Sequence, residues 1–295
     1  MKKIIYIICL IGFISCNSED AGNCWQTAGT IIQQEFETPS FTKILVQKKV
    51  ELIITEGPVQ KVIVETGKNL MPDIEVQVVG DQIILTNHNT CNFLRDYGLT
   101  KVYITTPNIT EIRNASELNV SSKGVLTFPT RYLQSTGEKN DFLAVGDWHL
   151  NINNNKVIIL SNGISNFYIN GSTNNLDIIF SDGDCRFEGE NFIAQQVKIK
   201  NVSSNDMLVN PVESLTGSIH STGDVISFNT PPVVNIEELS NYTRPNISSL
   251  KTMAYHPSPT DVDTIFNLQL LGMNRPYGKL GGKRRTRKSK RSLVF

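Results

Sequence analysis

A spacing of twenty residues constrains this chain more than any other feature. SNGISNFYIN begins at residue 161, SDGDCRFEGE at 181, NVSSNDMLVN at 201 and STGDVISFNT at 221. Each unit opens with Ser or Asn and small polar residues, then supplies apolar side chains: Phe167 and Ile169, Phe187, Met207 and Val209, Ile226 and Phe228. A second apolar run follows in each: LDIIF (176–180), VKIK (197–200), LTGSI (215–219) and VVNIEEL (233–239). A fixed period holding two or three short strands and polar turns is the pattern of stacked coils, none of which can bury its apolar face alone. Asn, Gly and Ser suit the corners, where the chain needs positive φ or side-chain hydrogen bonds to the backbone. The fold expected is all-β, a right-handed parallel β-helix-like solenoid with coils of about 20 residues.

Upstream, VELIITE (50–56) alternates apolar and polar as a half-buried strand does, and EGP, TGKN and VGD punctuate the runs. Before residue 240 no stretch keeps helical periodicity over three turns. Within the repeat, SDGDCRFEG (181–189) gathers two aspartates, a cysteine, an arginine and a glutamate. Its siblings hold NG, VS and TG where it holds DG, so it reads as a corner and a strand rather than a metal loop. One enzymatic alternative stands beside that reading. Asp182, Asp184, Arg186 and Glu188 are the residue types with which parallel β-helices cleave polysaccharides, and alternation puts Arg186 and Glu188 on one face. The sequence locates no second carboxylate across a cleft, so no catalytic residue is assigned. HExxH, GxSxG, GxxxxGK[ST], GxGxxG and CxxC are all absent. His88, His149, His220 and His256 are dispersed without metal-ligand spacing, so neither a metal nor another cofactor is expected.

The ends of the chain carry their own signals. Lys2 and Lys3 precede a short apolar run, Ile4 to Ile14, and Ser15 then precedes Cys16. So short a run is too little for a comfortable membrane span, and the pattern reads as an export signal. FISC resembles a bacterial lipobox, which would make Cys16 the lipidated first residue of the mature protein. Asn17 after it favours the outer membrane. At the other end, KRRTRKSKR (283–291) holds seven basic side chains. The whole chain has zero net charge, so removing those seven with Lys2 and Lys3 leaves nine excess negative charges on the body. An acidic body argues against a nucleic-acid partner, while the basic run suits an anionic surface.

After loss of Cys9 with the leader and acylation of Cys16, Cys24, Cys91 and Cys185 remain. In an oxidising compartment a pair bridges and one is left over. Cys24 and Cys91 sit in polar, turn-like settings and Cys185 sits inside the repeat, so Cys24–Cys91 is the disulfide expected. RDYG (95–98), close to Cys91, reads as a polar plug over the first coils, with a binding role for Tyr97 as the alternative. Trp148 reads as packing rather than sugar stacking.

Several of these segments together resemble the head GIN domain family, auto-transporter adhesins that occur as lipoproteins in Bacteroidetes. The resemblance is carried by FTKILV (41–46), CNFLRDYGLTKVYITTPNITEI (91–112), GSTNNL (171–176) and SNDMLVN (204–210), with SLTGSIHSTGDVISFNTPP (214–232). It spans residues 22–242 and implies a right-handed β-helix-like fold, a cell-envelope location and no catalytic residues. After Tyr242 the chain departs from the family, with Pro245, Pro257, Pro259 and Pro276, the amphipathic run DVDTIFNLQLL (261–271) and the basic end.

The organisation expected is a signal peptide (1–15), a lipidated tether (16–34), a solenoid domain (35–242) and a divergent, largely disordered basic tail (243–295). The function expected is that of a non-enzymatic envelope lipoprotein of the outer membrane, surface-exposed or periplasm-facing. It would bind the membrane through its N-terminal lipid and a glycan, matrix or envelope protein through the solenoid surface. The alternatives are a glycan-active β-helix enzyme and a periplasmic scaffold or stress-response partner.

Overall fold

The computed structural model describes residues 24–239 and 250–252, apart from residue 90, 93–94 and 138–141. The expected signal peptide, Cys16, His256 and the basic run therefore lie outside the described residues. The described chain forms seventeen strands and one 3-10 turn (Met71–Asp73). In chain order the strands are β1 (Ile31–Phe36), β2 (Lys43–Val46), β3 (Glu51–Glu56), β4 (Lys61–Gly67), β5 (Ile74–Val79) and β6 (Gln82–Asn87). They continue as β7 (Lys101–Thr106), β8 (Glu111–Asn114), β9 (Val120–Leu126), β10 (Thr130–Ser135), β11 (Trp148–Ser161) and β12 (Asn166–Phe180). The last five are β13 (Arg186–Asn201), β14 (Met207–Ile219), β15 (Val225–Ser227), β16 (Val233–Glu238) and β17 (Leu250–Thr252).

Hydrogen bonding sorts these strands into two ladders. The first runs β6–β2–β8–β10, then through the C-terminal halves of β11 to β14, and ends at β16. The second runs β7–β3–β9, then through the N-terminal halves of β11 to β14, and continues to β15 and β17. All of those pairings are parallel. Each ladder begins on antiparallel strands: β5 covers β6, while β4 covers β7 and β1 covers β4.

The all-β class is as the sequence implied, but a purely parallel coil is not what forms. Three antiparallel pairs make the sheet mixed. The order of the first coils is also not the order of the chain. β2 pairs with both β6 and β8, and β3 with both β7 and β9, so β2–β3 lies between β6–β7 and β8–β9. Nothing in local periodicity encodes such an insertion, because it is made of pairings between segments far apart in the chain. Strand β1 begins at Ile31, inside the stretch assigned above to the tether.

Beyond β10 the register follows the repeat closely. Val157 pairs with Leu176, Leu176 with Val197, Val197 with Leu215 and Leu215 with Val234, each partner lying one coil further along the chain. Trp148, Phe167, Phe187, Met207 and Val225 stack likewise on the second ladder. Alternation sends one residue in two inward, and the side chains of the two ladders meet in one core. Trp148 lies on Phe167 with ring centroids 5.5 Å apart, and Phe167 meets Phe180 at 5.7 Å. All three are fully buried. Each such ring contributes about 1.5–3 kcal/mol through removal from water, and a favourable ring pair adds about 0.5–1.5 kcal/mol.

The corners are held by side chains that replace missing ladder bonds. Just before the second-ladder strands, Asn119 Oδ1 accepts the N–H of Asp147 at 3.3 Å and Asp147 Oδ1 that of Asn166 at 2.9 Å. Further along, Asp206 Oδ1 accepts the N–H of Asp224 at 3.0 Å. Arg186 fills the intervening slot, donating to Asn205 Oδ1 at 3.0 Å. Inside the same turns runs a buried polar seam. Ser135 and Ser165 hydroxyls lie 2.6 Å apart, the Cys185 thiol donates to Ser161 Oγ at 3.1 Å, and Ser203 Oγ donates to the Cys185 carbonyl at 2.7 Å. Burial pushes the Cys185 thiol pKa up, so the group is a neutral, serine-like member of the seam.

One inward position breaks the apolar rule. Arg131, 1% exposed, alternates inward with Leu133, and its guanidinium lies 3.8 Å from the Phe128 ring centroid. Burial lowers its pKa to about 9, against the raising effect of Glu56. At neutral pH it is a buried cation on an aromatic face.

Candidate functional site

Three places carry the candidate chemistry: the turn at 181–189, the corner around Cys91, and the outer face of the first ladder.

The turn is structural in its bonding. Gly183 has φ +81°, and a Cβ there would sit 2.0 Å from the Gly163 carbonyl, so only glycine fits against the preceding coil. Asp182 Oδ1 accepts the Gly183 N–H at 2.8 Å, and Asp184 Oδ1 accepts from Ser204 Oγ at 2.7 Å. Arg186 and Glu188 do share a face, where Nε and Oε1 pair at 2.6 Å, and Phe187 between them is fully buried. Arg186 also lies 3.6 Å from Asp206. The carboxylates thus serve turns and ion pairs within the ladder. Among the described residues no group of three His, Cys, Asp or Glu is placed to hold a metal ion.

At the corner, Cys24 and Cys91 form a disulfide across a sequence separation of 67, with Cα atoms 4.5 Å apart. Arg95 acts as the plug, donating to the Cys91 carbonyl at 2.7 Å and the Gln26 carbonyl at 3.0 Å. Burial lowers its pKa, with Asp73 opposing. Gln26 Nε2 donates to the Asn69 carbonyl at 2.8 Å, and Asn69 Nδ2 to the Thr27 carbonyl at 3.0 Å. Lys49, with φ +63°, gives its N–H to Glu117 Oε2 and its ammonium to the Asn89 carbonyl. The hollow between these groups measures about 40 Å³, room for little more than a water. The trough beside it, about 450 Å³, is open and lined wholly by polar residues such as Gln47, Lys48, Thr86 and His88. Neither has the enclosed apolar walls with which proteins bury a small ligand. Tyr97, at 59% exposed, and Trp25, at 60%, stand outward from this corner.

The described histidines are taken up locally. His88 pairs with Glu75 at 2.8 Å, His220 with Ser218 Oγ at 2.7 Å, and His149 stacks on Tyr168 at 4.8 Å. Trp148 is fully buried and cannot meet a sugar.

The outer face of the first ladder is a regular in-register surface. Glu111, Tyr132, Ile158, Asp177, Lys198 and Thr216 stand side by side on consecutive strands. A parallel row runs from Arg113 through Gln134, Leu160, Ile179 and Lys200 to Ser218. At about 4.8 Å per strand, six strands span about 24 Å. The rows mix half-buried aliphatic side chains with charges of both signs, and Tyr132 is 45% exposed. Sequence reading named the solenoid surface as the binding surface without singling out this face. Its signal was the outward half of each alternation, which carries no motif.

Solved structures share the fold. An adhesin structure from Bacteroides fragilis NCTC 9343, described as putative, superposes with a TM-score of 0.67 at 17% identity, covering 77% of this chain and 99% of the other. A structure from Parabacteroides distasonis ATCC 8503, described as a putative lipid binding protein, gives 0.51 at 12% identity, covering 76% and 97%. No curated protein matches the sequence. The family model described as "Putative auto-transporter adhesin, head GIN domain" matches residues 40–231, which run from β2 to β15, and the chain belongs to that family.

Proposed function

We propose that this protein is a non-enzymatic binding module of the cell envelope, an adhesin that presents the outer face of its first ladder to a glycan, matrix or envelope protein. The observation that carries this reading is the contrast between that broad in-register face and the small or open hollows elsewhere. Large partners are bound by flat mixed surfaces with an aromatic anchor, and Tyr132 is such an anchor. Membership of an adhesin family supports the same reading. The parallel part of the fold is a right-handed β-helix-like solenoid, supported by the coil-by-coil register and by the strong right-handed preference of parallel crossovers. Cys16 carries the lipid, and the anchor is to the outer membrane, after removal of residues 1–15. The acidic body supports a partner other than nucleic acid.

Two measurements test the reading. Palmitate labelling of cells, with and without Cys16→Ser, reports the anchor, and protease treatment of intact cells reports which side the domain is on. Protection of the domain until the outer membrane is broken would exclude adhesion and favour a periplasmic partner. Binding of the purified chain to a panel of glycans and matrix proteins should weaken in Tyr132→Ser and persist in Asp182→Asn with Asp184→Asn. Release of cleaved glycan that stops in the double aspartate variant would make it an enzyme instead.

A further inference from the structure

We infer that the disulfide corner is a membrane-facing surface, resting on the phospholipid bilayer to which Cys16 is fixed. The inference rests on the lipid-anchor reading of Cys16 and adds a second contact to it. Among the described residues, the exposed large aromatic side chains are Trp25, Tyr97 and Tyr132. Two of these three meet at one corner. Trp25 follows Cys24, which is bonded to Cys91, and precedes Gln26, whose carbonyl is held by Arg95, two positions before Tyr97. Tryptophan and tyrosine are the side chains that settle at the headgroup level of a bilayer, with an apolar body and one polar atom.

Charge at the corner points the same way. Lys68 is exposed and its backbone N–H is bonded to the Thr30 carbonyl. Lys48 and Lys49 line the adjoining trough. Arg95 adds to them while Asp73, Asp96 and Glu117 oppose them, yet the cluster contrasts with a body whose net charge is negative. Lysines beside a membrane are drawn to anionic headgroups by about 1 kcal/mol each.

Chain length keeps this corner beside the bilayer if Cys16 is acylated. From Cys16 to Cys24 there are eight Cα steps, at most about 29 Å even fully extended. The first ladder, from β5 to β16, takes nine strand spacings, about 43 Å. Only the end holding Cys24 stays within reach of the acyl chain in every arrangement. The solenoid would then stand on its antiparallel cap, with its last coils pointing away.

The chain supplies its own reporter, since it has two tryptophans and Trp148 is fully buried. The experiment uses the mature chain with Cys16→Ser, so that no lipid contributes. It is mixed with phosphatidylcholine vesicles, with and without phosphatidylglycerol, and with acyl chains carrying bromine as quencher. Trp25 emission should shift to the blue and be quenched, and the partition coefficient should rise with anionic lipid. Tyr97→Ala, read by the same emission, should weaken partitioning about tenfold, and Trp25→Ala, read by sedimentation with vesicles, by at least as much. Lys68→Glu should remove part of the anionic-lipid dependence. Circular dichroism and the constant Trp148 emission establish that each variant is folded. Trp25 emission that ignores every vesicle overturns the inference, as does a response to lipopolysaccharide alone. A vesicle response that persists unchanged in Tyr97→Ala does so too. Absence of palmitate on Cys16, with the vesicle response intact, would instead overturn the anchor and leave the surface standing.

Discussion

The strands before Trp148 and the coils after it reach the same cross-section by opposite routes. After Trp148, each strand pairs with the one a single coil away, and the chain adds coils in the order in which it is written. Before that, β2 reaches across five intervening strands to β8, pairing Lys43 with Glu111, and β3 reaches likewise to β9, pairing Leu52 with Val120. The late coils are held by stacked side chains in equivalent slots. The early ones are held by antiparallel caps, a disulfide and a charged plug. Repetition thus specifies a fold locally, whereas an end must be specified by unique long-range contacts.

This contrast can be broken most severely at its centre. Trp148→Ala removes the largest fully buried side chain, at the first coil that obeys the short register. A loss of about 3–5 kcal/mol is expected in urea unfolding. A loss below about 1 kcal/mol would mean that the ring stack is not what joins the two regions.

The disulfide sharpens the comparison. Replacing Cys24 and Cys91 together with Ser should cost about 2–4 kcal/mol. Amide exchange should quicken in 24–36 and 87–100 well before it does in β12 and β13. Equal quickening in both regions would show that cap and coils unfold as one unit.

Gly183→Ala probes the late coils alone. The positive φ and the 2.0 Å approach to the Gly163 carbonyl predict a loss of about 1–3 kcal/mol, with amide exchange rising in β12 and β13 first. An unchanged melting temperature would show that the corner relaxes freely.

Arg131→Met should have the smallest effect and the opposite sign. The native guanidinium has a lowered pKa, so its charged form is disfavoured by folding at every pH below about 9. Above that value, and until a free arginine side chain also loses its proton, the unfolded state binds more protons, and stability contributed by this group rises with pH through that window. At neutral pH the full penalty applies, and a well-packed Met should stabilise by about 1 kcal/mol. Destabilisation measured at pH 7, together with a flat pH profile, would show that the Phe128 contact outweighs desolvation.

What was legible in the sequence follows the same division. The late coils were readable because Phe167, Phe187 and Met207 recur in slots that are neighbours in space. The turn at SDGDCRFEG was readable because its siblings vary where a ligand set could not. The placement of β2–β3 between later strands was not readable, since VELIITE alternates in the same way whichever strands flank it. Arg131 escaped notice because an inward alternation of Arg131, Leu133 and Ser135 looks like an edge strand until Phe128 is seen beneath the guanidinium. The outer face carries no motif, and its meaning comes only from register.

The insertion of β2–β3 has a consequence for how the molecule comes into being. A chain emerging from its N-terminus has made β2 and β3 long before their partners β7, β8 and β9 exist. The loop between β2 and β8 is more than three times a coil, and closing it costs about 1 kcal/mol more in chain entropy. The slow event expected in folding is therefore the completion of the cap, after which each later coil finds a finished template. Synthesis and folding run in step only after that point, so the earliest residues wait the longest for their neighbours.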